Sequence, residues 1–230
     1  HISGSAYLKA YKDKCRVIPY GIDVEKYESI EPQPVLESRL GSKQNKKVLF
    51  AGRLVYYKGV EVLINAFEKI YGCELFIAGT GHLENDLKQQ VQTLGIADKV
   101  HFLGRISDDE MMQAFADCDF FVLPSVANSE AFGIVQMEAM VYGKPVINTN
   151  LPTGVPHVSI HGQTGITVPV NDAETLAQAI QKLADDDELR RSMGENAYKR
   201  VRKVFGMENM INGLYSLYEE LTENKQEAEK

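Results

Sequence analysis

An excess of basic residues is missing: 25 Lys and Arg stand against 32 Asp and Glu, for a formal net charge of −7. That balance offers no basic surface for nucleic acid, and any anionic ligand must be met by local cations and backbone dipoles. Cysteine is scarce. Cys15, Cys73 and Cys118 are odd in number, far apart and without zinc spacing. They fit a reducing cytoplasm, with Cys73 and Cys118 as plain core residues. No apolar run approaches the roughly 20 residues that span a bilayer, and neither an internal repeat nor a low-complexity linker interrupts the chain. What is present suffices for a core: 44% hydrophobic content in 230 residues predicts one domain, or one and a fraction.

The pattern of what is there is alternation. Short β-branched runs at Lys47 to Gly52, Glu74 to Ala78, Val100 to Leu103, Phe120 to Leu123, Pro145 to Ile147 and Thr164 to Val168 read as strands. Between and after them, Val60 to Tyr71, Leu83 to Leu94, a segment ending at Ala116, Ile134 to Tyr142, Ala173 to Ala184, Glu188 to Val204 and Met207 to Thr222 read as helices. Ser107-Asp108-Asp109-Glu110 is a capping-box pattern for the third of these. Val17 to Asp23 is a short apolar segment closed by a turn. Ser29 to Asn45 is a surface loop with room for a short helix at Val35 to Leu40, and the tail from Glu223 is expected to fray. This order predicts an α/β fold with a doubly wound, Rossmann-like parallel sheet.

The chain is organised around Ser129-Glu130-Ala131-Phe132-Gly133-Ile134-Val135-Gln136-Met137-Glu138-Ala139-Met140, which follows an apolar strand stopped at Pro124. Strand, short loop and helix in that order place free N–H groups at the carboxyl edge of the sheet, where open α/β sheets bind ligands and a phosphate is welcome. Glu130 and Glu138 are eight residues apart, about 12 Å along a helix, although Glu130 falls in the loop. On spacing alone, Glu130 also serves as an acidic helix start and Glu138 as a solvated face residue. A second loop, Gly52-Arg53-Leu54-Val55-Tyr56-Tyr57-Lys58-Gly59, puts a guanidinium and an ammonium at the same sheet edge, a combination suited to an anion. Gly79-Thr80-Gly81-His82-Leu83-Glu84 is not a dinucleotide fingerprint, since Glu84 takes the third glycine position. His157 and His161 lack the third ligand a metal needs and read as surface histidines.

The wording of these stretches closely resembles the retaining glycosyltransferases of family four, which have the GT-B fold. Glu-Ala-Phe-Gly-Ile-Val-Gln-Met-Glu is similar to that family's E-x7-E motif, and Gly52 to Gly59 to its G-R-L-x-x-x-K-G element. The resemblance runs from about Val17 to about Glu220. It implies that Glu130 lies beside the donor sugar as the catalytic-site carboxylate and that Glu138 binds the ribose. Phe132, Gly133, Ile134 and Val135 would then offer N–H groups to sugar and diphosphate. It further implies that Arg53 and Lys58, with Gly52, hold the diphosphate, and that Arg105 and Ile106 border the base mainly through backbone. No Asp-x-Asp motif is present, and metal-independent binding without a cofactor is implied. Thr153-Gly154-Val155-Pro156-His157 departs from the Gly-Gly-x-Pro-Glu that relatives often carry.

On this resemblance residues 17–205 form the donor-binding lobe and 206–230 a crossing helix with its tail. Residues 1–16 form a hinge from an acceptor lobe, or are foreign to the protein. The first residue, His1, suggests a piece of a longer protein. The implied activity is transfer of a sugar, with retention, from a UDP- or GDP-sugar to a hydroxyl of a glycan or lipid-linked glycan, in bacterial-type glycan or glycolipid synthesis. The expected location is cytoplasmic, at the inner membrane face through the other lobe. One lobe leaves the sugar open to water, so the chain alone is expected to bind donor without transferring it. A nucleotide-sugar epimerase of related fold and a non-catalytic nucleotide-sugar-binding module fit the same residues. A dehydrogenase does not, for want of the three-glycine fingerprint.

Overall fold

The computed structural model of the chain describes residues 4–37 and 44–228, with side chains through residue 223. Six strands, β1 (Lys46–Ala51), β2 (Cys73–Ala78), β3 (Val100–Gly104), β4 (Phe120–Leu123), β5 (Val146–Thr149) and β6 (Gly165–Val168), form one sheet. Its order is β3-β2-β1-β4-β5-β6, and every pairing is parallel. The helices are α1 (Val24–Glu28), α2 (Val60–Phe67), α3 (Glu84–Thr93), α4 (Asp108–Asp117) and α5 (Val135–Val141), then α6 (Val155–Val158), α7 (Ala173–Asp185), α8 (Asp187–Phe205) and α9 (Met207–Ala228).

Side chains alternate across a strand, so β1 to β5 each feed two cores. Val48 and Phe50 of β1 pack with α2, α3 and α7 through Leu63, Ile64, Phe67, Leu87, Val91 and Ile180. Leu49 and Ala51 point the other way, toward Phe115, Met137, Met140, Ala197 and Val201 of α4, α5 and α8. Burial on both faces is why these strands read as nearly continuous apolar runs. Each fully buried Leu, Ile or Phe contributes about 1.5–3 kcal/mol relative to exposure. Among the described residues no helix is long and apolar enough to cross a membrane.

The chain leaves β1 first toward β2 and β3 and later toward β4, β5 and β6, so the connections diverge between β1 and β4. A crevice at the carboxyl ends of those two strands follows from that reversal. Ile22 bridges Gly206: Ile22 N donates to Phe205 O at 2.7 Å and Met207 N to Ile22 O at 3.0 Å. The beginning of the expected lobe is thus bonded to the start of the expected crossing segment.

Several boundaries differ from expectation. α2 stops at Phe67 rather than Tyr71, because Lys69 N and Ile70 N bond three residues back and Gly72 at φ 65° turns the chain into β2. The segment from Glu223 stays in α9 through Ala228 instead of fraying, since Glu, Lys, Gln and Ala are good helix formers. Of the short helix expected at Val35 to Leu40, Val35 and Leu36 form a turn and Glu37 is in 3-10 conformation, and the remainder lies outside the described residues. α1 and α6 were not expected at all. Residues 9–14, within the expected hinge segment, form exposed 3-10 turns.

Candidate functional site

The carboxyl ends of β1 and β4 are pressed together by glycine. Gly59 ends the 3-10 turn Tyr56–Lys58 at φ 67°, and a Cβ there would stand 2.1 Å from the Pro124 carbonyl oxygen. Only glycine allows this approach, and Val126 N seals it by donating to Tyr57 O at 2.8 Å. Gly79 holds φ 134° with its Cβ position 1.9 Å from the Gly52 carbonyl oxygen. The Gly-Thr-Gly loop is therefore a backbone-to-backbone joint, with Leu54 N donating to Thr80 O at 2.9 Å.

This joint carries Lys58 to Glu130. Lys58 Nζ donates to Glu130 Oε2 at 2.6 Å, and the two residues are only 9% and 8% exposed. Ser125 Oγ donates to the same Oε2 at 3.0 Å, and Ser125 is itself held by Thr149 Oγ1 donating to its carbonyl. Glu130 lies in the loop before α5, not on the helix. The Coulomb gain of a buried pair scarcely offsets the desolvation of two charges, so the arrangement is weakly motivated by stability. Arg53 is exposed, and its Nη2 donates to Tyr57 Oη at 3.0 Å, while Lys58 Nζ lies 5.6 Å from the Tyr57 ring centre. Tyr57 therefore joins the two cations of the loop. Of the two cations expected to hold the diphosphate, Lys58 has a buried carboxylate partner and Arg53 is exposed.

Glu138 projects from α5 toward α1 and α4. Tyr27 Oη donates to its Oε1 at 2.7 Å, and Tyr142 Oη donates to Tyr27 O at 2.7 Å. Burial raises the Glu138 carboxyl above its ordinary range and nearby Asp108 adds to this, while Tyr27 and Lys26 oppose it. Burial and Glu138 raise the Tyr27 phenol, and burial pushes the Tyr142 phenol up to about 12.

Two cavities adjoin here. One, of about 140 Å³, is lined by Lys26, Tyr27, Asp108, Met111, Met112, Phe115 and Glu138. The other, of about 340 Å³, is lined by Gly52, Arg53, Ala78, Gly79, Thr80, Arg105, Ile106 and Met111. Met111 lines both, so Glu138 stands next to the groove that gathers Gly52, Arg53, Arg105 and Ile106. Gly52, which lines this second cavity, would place a Cβ 3.6 Å from Lys58 Nζ, so Lys58 stands beside the Gly52 part of its wall.

Phe132, Gly133, Ile134 and Val135 form the turn into α5, with Gly133 at φ 71° and Ile134 as the cap. The first N–H groups of a helix have no intrahelical acceptor. The turn is braced from behind. Gln136, fully buried, donates through Nε2 to Phe132 O at 3.2 Å and Val155 O at 3.3 Å, and its Oε1 accepts from Asn148 Nδ2 at 2.8 Å. Gly154 N donates to Ala131 O at 2.7 Å, which fixes the Thr153-to-His157 segment against the same turn. Ser125, Gln136, Asn148, Thr149 and Tyr27 escaped the sequence reading. Asn148 and Thr149 were visible as polar residues closing an otherwise apolar strand.

His157 is exposed on α6 with its ring edge on Phe205, and burial and Arg200 lower its basicity. His161 Nδ1 accepts from Thr167 N at 3.0 Å. Among the described residues no group of three or more His, Cys, Asp or Glu side chains is placed to hold a metal ion. Burial pushes the thiols of Cys73 and Cys118 up to about 12, as inert core residues.

The family described as "Glycosyl transferases group 1" matches residues 35–200. The chain is 36% identical over 209 residues to the D-rhamnosyltransferase WbpZ of Pseudomonas aeruginosa, covering 89% of this chain and 53% of that protein. It is 32% identical over 225 residues to the O-antigen chain mannosyltransferase C of Escherichia coli, covering 98% of this chain and 60% of that one. It thus spans little more than half the length of these relatives. The crystal structure of Anabaena HepE in complex with UDP superposes with a TM-score of 0.78 at 28% identity, covering 90% of this chain and 57% of that one. The parallel sheet and its flanking helices are those of a GT-B glycosyltransferase lobe, and the chain belongs to the group 1 glycosyl transferases.

Proposed function

We propose that this chain is the donor-binding lobe of a retaining glycosyltransferase, which moves a sugar from a nucleoside diphosphate to a hydroxyl of a glycan or lipid-linked glycan in the cytoplasm. The observation that carries this reading is the continuity of the groove. Glu138 adjoins, through Met111, the cavity of Arg105, Ile106, Arg53 and Gly52, and Gly52 in turn stands beside Lys58, the partner of Glu130. A nucleotide sugar has the same sequence of parts: base, ribose, diphosphate and sugar. HepE bound to UDP and relatives named as rhamnosyl- and mannosyltransferases support the same substrate class.

In this reading the backbone of Arg105 and Ile106 borders the base, and Glu138 accepts from the ribose hydroxyls. Arg53, Lys58 and the N–H groups of Phe132 to Val135 meet the diphosphate and sugar without a divalent cation. The sugar–phosphate C–O bond breaks with its electron pair passing to the leaving phosphate, whose growing charge faces the two cations. The acceptor oxygen bonds to the anomeric carbon on the same face and its proton passes to the departing phosphate. Glu130, held by Lys58 and Ser125, orients sugar hydroxyls and balances the cationic ring. An acceptor lobe closes over this site, hinged near the Ile22–Gly206 bridge, and without it the chain binds donor but does not transfer.

Calorimetric titration with UDP, GDP, UDP-glucose and GDP-mannose, with and without EDTA, tests the reading. At least one nucleotide should bind with its sugar conjugate, and EDTA should not weaken it. Failure of all four probes would sink the proposal, and turnover of a bound donor without acceptor would move it to an epimerase.

A further inference from the structure

Tyr27 sits on a five-residue helix, too short to persist by its own hydrogen bonds. A local cap and two tertiary contacts fix it. Asp23 caps its start by accepting from Lys26 N at 3.1 Å, and Tyr142 Oη grips the Tyr27 carbonyl. At its end Glu28 takes Arg202 at 2.5 Å and Tyr198 at 2.7 Å, both on α8. The Tyr27 ring meets Tyr142 edge-on, with centres 6.3 Å apart. A phenylalanine would keep that packing. The hydroxyl adds one thing, its hydrogen bond to Glu138, 111 residues away, which lines the cavity of about 140 Å³.

We infer that Tyr27 is a positioning residue for nucleotide binding: its hydroxyl holds Glu138 Oε1 and orients the carboxylate toward the cavity where a nucleotide's ribose diol enters. The inference rests on the proposed role of Glu138. A ribose diol donates two hydrogen bonds, and an ionised carboxylate accepts both where a protonated one offers less. The groups facing Glu138 pull in opposite directions. Tyr27 and Lys26 of α1 favour its charged form, while burial and Asp108 of α4 oppose it. Tyr142, the C-cap of α5, anchors Tyr27 rather than the carboxylate. With the Tyr27 hydroxyl gone, the charged form loses its direct donor and the carboxyl titrates at higher pH.

The test is Tyr27→Phe, titrated calorimetrically with UDP and GDP from about pH 5 to 8 and checked for folding by thermal unfolding. Binding should weaken several-fold at the acid end, where the carboxyl of the variant is more protonated, and approach the native value at the alkaline end. Tyr142→Phe, which loosens the Tyr27 backbone, should shift the profile the same way by less. In a Glu138→Gln background Tyr27→Phe should have no further effect, which a merely structural role could not produce. A folded Tyr27→Phe chain with native affinity and an unshifted profile overturns the inference, as does a full additional loss in the Glu138→Gln background. If Glu138→Gln binds as tightly as the native chain, or if neither probe binds the native chain, the reading of Glu138 fails and the inference with it.

Discussion

Lys58 and Glu130, 72 residues apart in sequence, share a 2.6 Å charge-assisted hydrogen bond where β1 and β4 end. Neither strand connects to the other directly, and only their adjacency in the sheet brings the two charges together. The first expectation follows from burial. Lys58→Ala leaves a carboxylate without its cation and should cost about 3 kcal/mol, the lower end for breaking a buried pair. Lys58→Ala combined with Glu130→Gln should recover part of that loss, because the stranded charge is gone. Urea unfolding of the four chains in a double-mutant cycle measures the coupling. Strict additivity would mean that the pair does not act as a unit.

This pair also marks the limit of what the sequence discloses. Both residues were singled out from their motifs, and the strand-loop-helix units around them were legible from apolar runs bounded by Gly and Pro. The capping box at Ser107 and Glu110 was legible to the atom, since it is local: Glu110 N donates to Ser107 Oγ at 3.2 Å and Ser107 N to Glu110 Oε2 at 2.8 Å. Partnership was not legible, because the register of β1 beside β4 is a tertiary fact. The same holds for Tyr27 with Glu138, and for α1 and α6, which are too short to leave a periodic signature. Glu138 read from its neighbours in sequence could be a solvated face residue. In the fold it is desolvated and faces a cavity.

Arg53 separates binding from folding. Its side chain is exposed and bonded only to the Tyr57 hydroxyl among its described contacts, so Arg53→Ala should change stability by no more than about 0.5 kcal/mol. If it meets a diphosphate, the same substitution should weaken a nucleoside diphosphate by about 1.5–3 kcal/mol, the range for hydrogen bonds to charged groups. Calorimetry and thermal unfolding on one preparation check both halves. Unaltered affinity would remove Arg53 from the proposed site.

Glu138 links the site to pH. Its carboxyl is raised in the folded chain above the ordinary value of 4.5, chiefly by burial. Between those two values the fold binds more protons than the unfolded chain, so the stability Glu138 contributes is complete below the unfolded value and is lost as pH rises through the folded one. At neutral pH the ionised, desolvated carboxylate is a burden on the empty protein. Glu138→Gln should therefore be at least as stable as the native chain near pH 7, and the native chain should gain on it as pH falls toward 4.5. Urea unfolding of both chains at several pH values reads this difference, in which other titrating groups cancel. A variant that is markedly less stable at pH 7 would contradict the burden assigned to the carboxylate.

The two glutamates should also part company by ligand. Ribose is common to a nucleoside diphosphate and its sugar conjugate, and Glu138 lies by the cavity next to Arg105 and Ile106, so Glu138→Gln should weaken both ligands to similar extents. Glu130 lies at the other end, held on Oε2 by Lys58 and Ser125. Glu130→Gln keeps the side chain's shape but removes the charge that Lys58 neutralises, freeing the ammonium for an incoming phosphate. The nucleoside diphosphate should then bind at least as well as before, while the sugar conjugate loses the carboxylate that would accept from its hydroxyls, a loss of about 1.5–3 kcal/mol. Ser125→Ala, which removes only the second donor to Oε2, should follow the same pattern more weakly. Paired titrations of UDP against UDP-glucose, and of GDP against GDP-mannose, compare the variants directly. Equal losses for free nucleotide and sugar conjugate in Glu130→Gln would place Glu130 at the phosphates and end its assignment to the sugar.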